Sequence, residues 1–265
     1  MSPDHMQIAR FANQLADIAR DLARSHFRAT TAFESKSDKS PVTIADRAIE
    51  DALRQAIEKA YPGHGIQGEE RGVSNAGREM WVLDPIDGTL SFMMGMPTFG
   101  SLIAYAEDGA PVVGVVELPA LKERLTGYDG ATTFNGQPVR VSGCAALSEA
   151  RLSTSGPDYF RDEDWARFDA ASRQGAARRF GGECSAYALL ACGYCDAVAD
   201  GSMAPHDFMP LVPVIEGAGG VITDWQGRAL TLDYSGAVLA SSSRKLHDQL
   251  LRALDAGASP DRAAF

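Results

Sequence analysis

The stretch from Met80 to Thr89 constrains this chain more than any other. Met80-Trp81-Val82-Leu83 reads as a strand and runs into Asp84-Pro85-Ile86-Asp87-Gly88-Thr89. Carboxylates three positions apart at a strand end can converge on one point, with Pro85 fixing the backbone between them. Gly88 has no Cβ, so backbone can approach a ligand closely there. Thr89 opens what reads as a first helical turn, whose free N–H groups suit an anion such as phosphate. Acids for a hard cation beside amides for phosphate are what metal-assisted phosphoryl chemistry requires. The plainer reading is an Asp-Pro/Asp-Gly turn with incidental acids.

Other segments favour the chemical reading. Upstream stand Ser40-Pro41-Val42-Thr43-Ile44-Ala45-Asp46 and Gly68-Glu69-Glu70. Downstream stand Pro205-His206-Asp207 and Glu216-Gly217-Ala218-Gly219-Gly220. In this order and at these separations the chain resembles the inositol monophosphatase superfamily of Mg2+-dependent phosphatases, from about Lys36 to about Ser241. Within it, Phe99-Gly100-Ser101, Leu121-Lys122-Glu123-Arg124 and Phe180-Gly181-Gly182-Glu183-Cys184-Ser185 look like the histidinol-phosphate phosphatase branch.

The resemblance implies an α+β fold, a layered α-β-α-β-α sandwich forming a single phosphatase domain. Its N-terminal lobe would cover about residues 1–145 and its C-terminal lobe about 146–257, with the active site between them. It also implies a homodimer and two or three Mg2+ ions per site. Glu69, Asp84 and the Ile86 carbonyl would hold one ion, and Asp84 would bridge to a second shared with Asp87 and Asp207. Oxygen ligands suit the hard Mg2+ ion. Phosphate would sit against the amides of Gly88 and Thr89. A water activated beside Glu69 and oriented by Thr89 with Asp46 would attack in line, without a covalent phospho-enzyme.

Several of these residues have a second reading. Asp46 also suits a helix N-cap, because Ile49 and Leu53 follow it helically. Glu70 reads as a solvated surface acid, and Lys36 as a loop residue near the site or simply solvated. His206-Asp207-Phe208-Met209-Pro210 stands where many members carry Trp-Asp and small residues. His206 reads as packing or surface before substrate contact, and Pro213 should disturb its helix.

The leaving alcohol would meet Gly182, Glu183 and the loop around Asp200. Many of these histidinol-phosphate phosphatases carry Asp at the Glu183 position and often Glu near Asp200. These acids favour an alcohol bearing ammonium or imidazolium groups, as in L-histidinol phosphate, over neutral inositol 1-phosphate. Otherwise Glu183 caps the following helix and Asp200 closes a turn with Gly201. The alternatives are an inositol-1-monophosphatase or a broad sugar or nucleotide phosphatase, and more remotely a non-catalytic homologue that only binds metal or phosphate.

Composition agrees with a small phosphorylated alcohol as the partner. The 265 residues, 45% apolar, can form one large domain or two lobes sharing a core. A net charge of −10 argues against nucleic acid or anionic membrane. Bound cations would then supply the positive potential that an anionic substrate needs. No basic-then-apolar leader opens the sequence and no apolar run would span a bilayer, so a soluble, cytoplasmic protein is expected. Cys192 and Cys195 have C-x-x-C spacing inside an apolar run without a second pair, which fits buried, reduced thiols.

Apolar spacing predicts helices over Ile8 to Leu22 and Ala45 to Tyr61. Strands are expected over Ser101 to Ala106, Pro111 to Leu118, Glu123 to Tyr128 and Pro138 to Val141. In the second half, helices are expected near Ala186 to Cys195 and over Asp207 to Gly217 and Lys245 to Leu254. Strands there are expected at Asp196 to Ala199, Val221 to Asp224 and Ala237 to Ala240. Residues 34–40 and the tail after Gly257 should be mobile.

Overall fold

The structure is a computed structural model that describes residues 4–29, 34–35 and 41–257. The expectations for Lys36, for 36–40 and for the tail beyond Gly257 lie outside the described residues. Helix α1 (His5–His26) buries Ile8, Ala12, Leu15, Ala19 and Ala23 at helical spacing, and the Asp4 carboxylate caps its start. A ribbon of β1 (Glu34–Ser35) and β2 (Pro41–Val42) follows. Helix α2 (Ile44–Ala60) buries Ile49, Leu53 and Ile57. It begins with a capping box in which Thr43 is the cap and Asp46 bonds back to it. Asp46 is therefore three positions inside the helix and is not its N-cap.

An eight-stranded sheet comes next: β3 (Gly65–Gly68), β4 (Gly72–Ser74), β5 (Glu79–Asp87), β6 (Gly100–Glu107), β7 (Ala110–Leu118), β8 (Glu123–Tyr128), β9 (Ala131–Phe134) and β10 (Gln137–Pro138). Short helix α3 (Thr89–Met93) leaves the end of β5. The strand expected to reach Val141 stops at Pro138, because the Val141 N–H bonds the Ala218 carbonyl instead.

The second sheet has five strands in the order β12-β11-β13-β15-β14. These are β11 (Arg151–Thr154), β12 (Ala177–Phe180), β13 (Ala197–Met203), β14 (Val221–Asp224) and β15 (Gly236–Ser241). The helices among them are α4 (Asp162–Ser172), α5 (Glu183–Ala191), α6 (Pro205–Phe208), α7 (Leu211–Gly217) and α8 (Arg244–Ala256).

Alternation along the strands orders the layers. On β5 and β6, Trp81, Leu83, Ile103 and Tyr105 face the cluster built with α1 and α2, while Val82, Leu102 and Ala104 face a second cluster. That second cluster also holds Val198, Val238 and Ala240 of the smaller sheet, with Leu190, Phe208 and Ile215 of α5, α6 and α7 between. The far face of the smaller sheet packs Leu152, Ala199 and Leu239 against Phe168 of α4 and Leu250 of α8. The result is an α-β-α-β-α sandwich, as the α+β expectation required. Strands covered on both faces read as unbroken apolar runs, which is why β5 and β6 stand out in the sequence.

The structure corrects three helical expectations. The helix near Ala186 to Cys195 starts earlier, at Glu183, and ends at Ala191. The helix over Asp207 to Gly217 is two helices, broken at Met209–Pro210. Pro210 caps α7 and Pro213 lies in its first turn, where a missing N–H costs no intrahelical bond. Helix α4 and strands β3, β4, β9, β11 and β12 have no counterpart in the expectations; the strands are short, and the two pairs β3–β4 and β11–β12 lie at sheet edges. All four cysteines are free thiols, and burial pushes Cys192 and Cys195 up to about 11.

Candidate active site

Strand β5 does not end before Asp84 as expected but continues to Asp87. Its pairing with β6 runs Asp84 to Leu102 and then Asp87 to Gly100, so β5 carries one extra residue. In a regular strand, residues three apart point to opposite faces. The bulge at Pro85, which has no ladder N–H to give, turns Asp84 and Asp87 to the same side. The Pro85 carbonyl is not stranded, because the buried Ser101 hydroxyl donates to it at 2.6 Å.

Asp207 arrives from α6. Its carboxylate accepts the Ala204 N–H at 2.7 Å, which fixes it in the first turn. Carboxylate oxygens of Asp84, Asp87 and Asp207 lie within 4.8 Å of one another. Glu69 follows β3 and lines the same cavity of about 660 Å3, where its charge acts on both Asp84 and Asp46. Gly88 adopts a left-handed φ of 79° and caps α3, and a Cβ there would come within 2.8 Å of the Glu183 side chain. Thr89 Oγ1 lies 3.4 Å from Asp46 and 3.1 Å from the Ile86 carbonyl.

Electrostatics single out this cluster. Burial, then the charges of Glu69, Asp87 and Asp207, pushes Asp84 well above the ordinary carboxylate range. Burial and Asp207 raise Asp87 to about 7, against the Cys184 N–H that donates to it at 2.6 Å. Burial also raises Asp46 despite its bonds from Thr43. Asp84 Oδ1 is buried with no hydrogen-bond partner among the described residues. Converging oxygen ligands, mutual repulsion and an orphaned buried oxygen fit a hard divalent cation.

Asp200 is buried inside β13, so it does not close a turn with Gly201. Its carboxylate accepts from Thr154 Oγ1, Ser155 N–H and Tyr187 OH, and burial raises it to about 6. Glu183 is half-buried with a left-handed φ of 45°. It accepts from Ser91 Oγ at 2.9 Å and from the N–H of Gly182, so it does not cap α5. Glu70 is half-buried, not fully solvated, and its N–H donates to Glu50. His206 lines the cavity with Nε2 3.6 Å from Asp207.

Some contributors have no motif of their own. The Cys184 amide that holds Asp87, and the cavity wall at Ser155, Asp158 and Tyr159, come from local sequence that looks ordinary. Ser91, two residues past Thr89, likewise carries no motif of its own and donates to Glu183.

A profile of the inositol monophosphatase family matches residues 4–258. The chain is 40% identical to the chloroplastic bifunctional phosphatase IMPL2 of Arabidopsis thaliana, over 94% of this chain and 76% of that protein. It is 38% identical to the histidinol-phosphatase of Mycobacterium tuberculosis, over 97% of this chain and all of that one (100%). An inositol monophosphatase from Zymomonas mobilis superposes with a TM-score of 0.87 at 41% identity, covering 95% of this chain and 98% of that one.

Proposed function

The chain belongs to the inositol monophosphatase family of metal-dependent phosphatases, and from that premise we propose that it hydrolyses L-histidinol phosphate with Mg2+. One observation carries the choice of substrate. Beyond the clustered acids, the cavity adds Asp158, Glu183 and Asp200 and holds no Lys or Arg among its described lining residues. A phosphate enters such a cleft with bound cations, and the leaving alcohol is best matched if it is itself cationic. The histidinol-phosphatase of M. tuberculosis supports the same choice.

We assign Glu69, Asp84, the Ile86 carbonyl, Asp87 and Asp207 to two or three Mg2+ ions. When bound, these supply charge neutralisation at phosphate and a more acidic water. Gly88 and Thr89 offer amides to the phosphate, and Thr89 with Asp46 holds the proton-accepting position beside Glu69. Glu183 faces the leaving alcohol; Gly182, buried ahead of α5, gives it room, and Asp200 shapes the wall behind it. The apolar cluster common to both sheets supports reading them as lobes of one domain. A cytoplasmic homodimer belongs to the same reading, and sedimentation of the purified protein checks its oligomeric part.

The decisive assay compares histidinol phosphate, inositol 1-phosphate and a nucleoside 3′-phosphate side by side with Mg2+. Histidinol phosphate should show the highest kcat/KM. If inositol 1-phosphate leads, this chain is an inositol-1-monophosphatase.

A further inference from the structure

We propose that Glu50 is a positioning residue for Glu69, acting through the backbone of the turn that carries it; the proposal rests on reading Glu69 as a metal ligand. Glu50 is fully buried on α2, with no solvent contact to stabilise its charge. Its Oε2 accepts the Glu70 N–H at 2.7 Å, and its Oε1 accepts the Arg71 N–H at 3.0 Å. The Glu69 N–H itself donates to the Leu83 carbonyl of β5 at 3.2 Å. Three consecutive amides of the turn are thus tied, one to the strand bearing Asp84 and two to a single buried carboxylate. Such a turn has little freedom to move Glu69 away from Asp84.

Arg54, one turn along α2, completes the device. Its Nε donates to Glu50 Oε1 at 2.8 Å, while its Nη1 and Nη2 reach the Ser74 hydroxyl and the Gly72 carbonyl. The guanidinium neutralises Glu50 and ties α2 to both ends of β4. Gly68 makes the approach possible. The three atoms nearest to a Cβ there all belong to the Glu50 carboxylate, and Glu50 cannot swing aside while three donors hold it.

Buried outer partners of metal ligands typically change metal affinity 10–100-fold when altered. Glu50→Gln keeps the size of the side chain but puts an NH2 group against an N–H donor. Mn2+ binding to the purified full chain, read by electron paramagnetic resonance, should weaken about ten-fold or more in this variant. The same loss is expected for Gly68→Ala, which leaves the Glu50 charge in place and serves as the arbiter should Glu50→Gln fail to fold. The decisive comparison is Glu50→Gln in a Glu69→Gln background. If Glu50 acts through Glu69, the second substitution there adds little further loss, because its target is already gone. A full additional loss, or unchanged Mn2+ affinity in folded Glu50→Gln or Gly68→Ala protein, overturns the proposal. Unchanged affinity in Glu69→Gln alone overturns the ligand reading and the proposal with it, and so tells the two failures apart.

Discussion

At the scale of single residues, the proposed chemistry rests on carboxylates that would repel one another without a cation. Asp87 shows this most directly, raised to about 7 by burial and Asp207. Asp87→Asn should cut kcat by orders of magnitude while leaving the circular dichroism spectrum unchanged, since it removes a charge from the proposed metal site and little packing. A near-normal rate with normal Mg2+ dependence would remove Asp87 from the metal site. Glu183 is the corresponding residue on the substrate side of the proposed site. It is held by Ser91 and the Gly182 N–H in a left-handed conformation that ordinary side chains avoid. Glu183→Ala should mainly erode the preference for histidinol phosphate over inositol 1-phosphate, read as a ratio of kcat/KM values. An unchanged ratio would leave Glu183 without a role in specificity.

Secondary-structure elements decide where those residues point. The bulge in β5 brings Asp84 and Asp87 to one side, and the break between α6 and α7 lets Asp207 sit in its own short turn. Helix α7 lies against β7 and β8 with backbone contact, because Gly114 and Gly127 present no Cβ to it. An added Cβ would strike the Pro210 carbonyl at the first position, and the Pro213 carbonyl and Val214 Cα at the second. Gly127→Ala must therefore push α7 away or deform β8. Overpacking of this kind costs about 1–3 kcal/mol. Denaturant unfolding should show that loss, with weaker Mg2+ activation because Asp207 precedes α7. Unaltered stability would mean that the contact yields without cost.

Over the whole molecule, acid should weaken the fold at a place remote from the active site. His247 of α8 is fully buried, with Thr223 Oγ1 2.8 Å from its Nε2 and Ser241 Oγ 3.1 Å from its Nδ1. Burial, with Arg244 adding to it, lowers this imidazole from 6.5 to about 4. Between those values the unfolded chain binds a proton that the folded chain refuses. Stability from this source is therefore complete above pH 6.5 and declines by at most roughly 3 kcal/mol as pH falls to about 4. His247→Gln should flatten the dependence of the denaturant midpoint over that window, and a slope like that of the parent protein would exclude His247 as its source.

The sequence by itself determined the elements whose residues repeat with one clear period, and the motifs whose members are neighbours in the chain. Helices α1 and α2, strands β5 to β8 and the run from Asp84 to Thr89 are of this kind. Their signal is local, since an amphipathic stripe or an acid at a strand end can be read without knowing its partners. Tertiary structure alone decided the rest. Nothing near Glu50 announces that it carries the turn of Glu69, because the turn amides that donate to it come from 20 and 21 residues away. Nothing near Asp200 shows that Thr154, Ser155 and Tyr187 claim its oxygens. The edge strands are too short to show a period, and Pro210 breaks a helix that apolar spacing alone would continue. A buried carboxylate must find its donors wherever folding puts them, and those pairings form only when distant segments pack together.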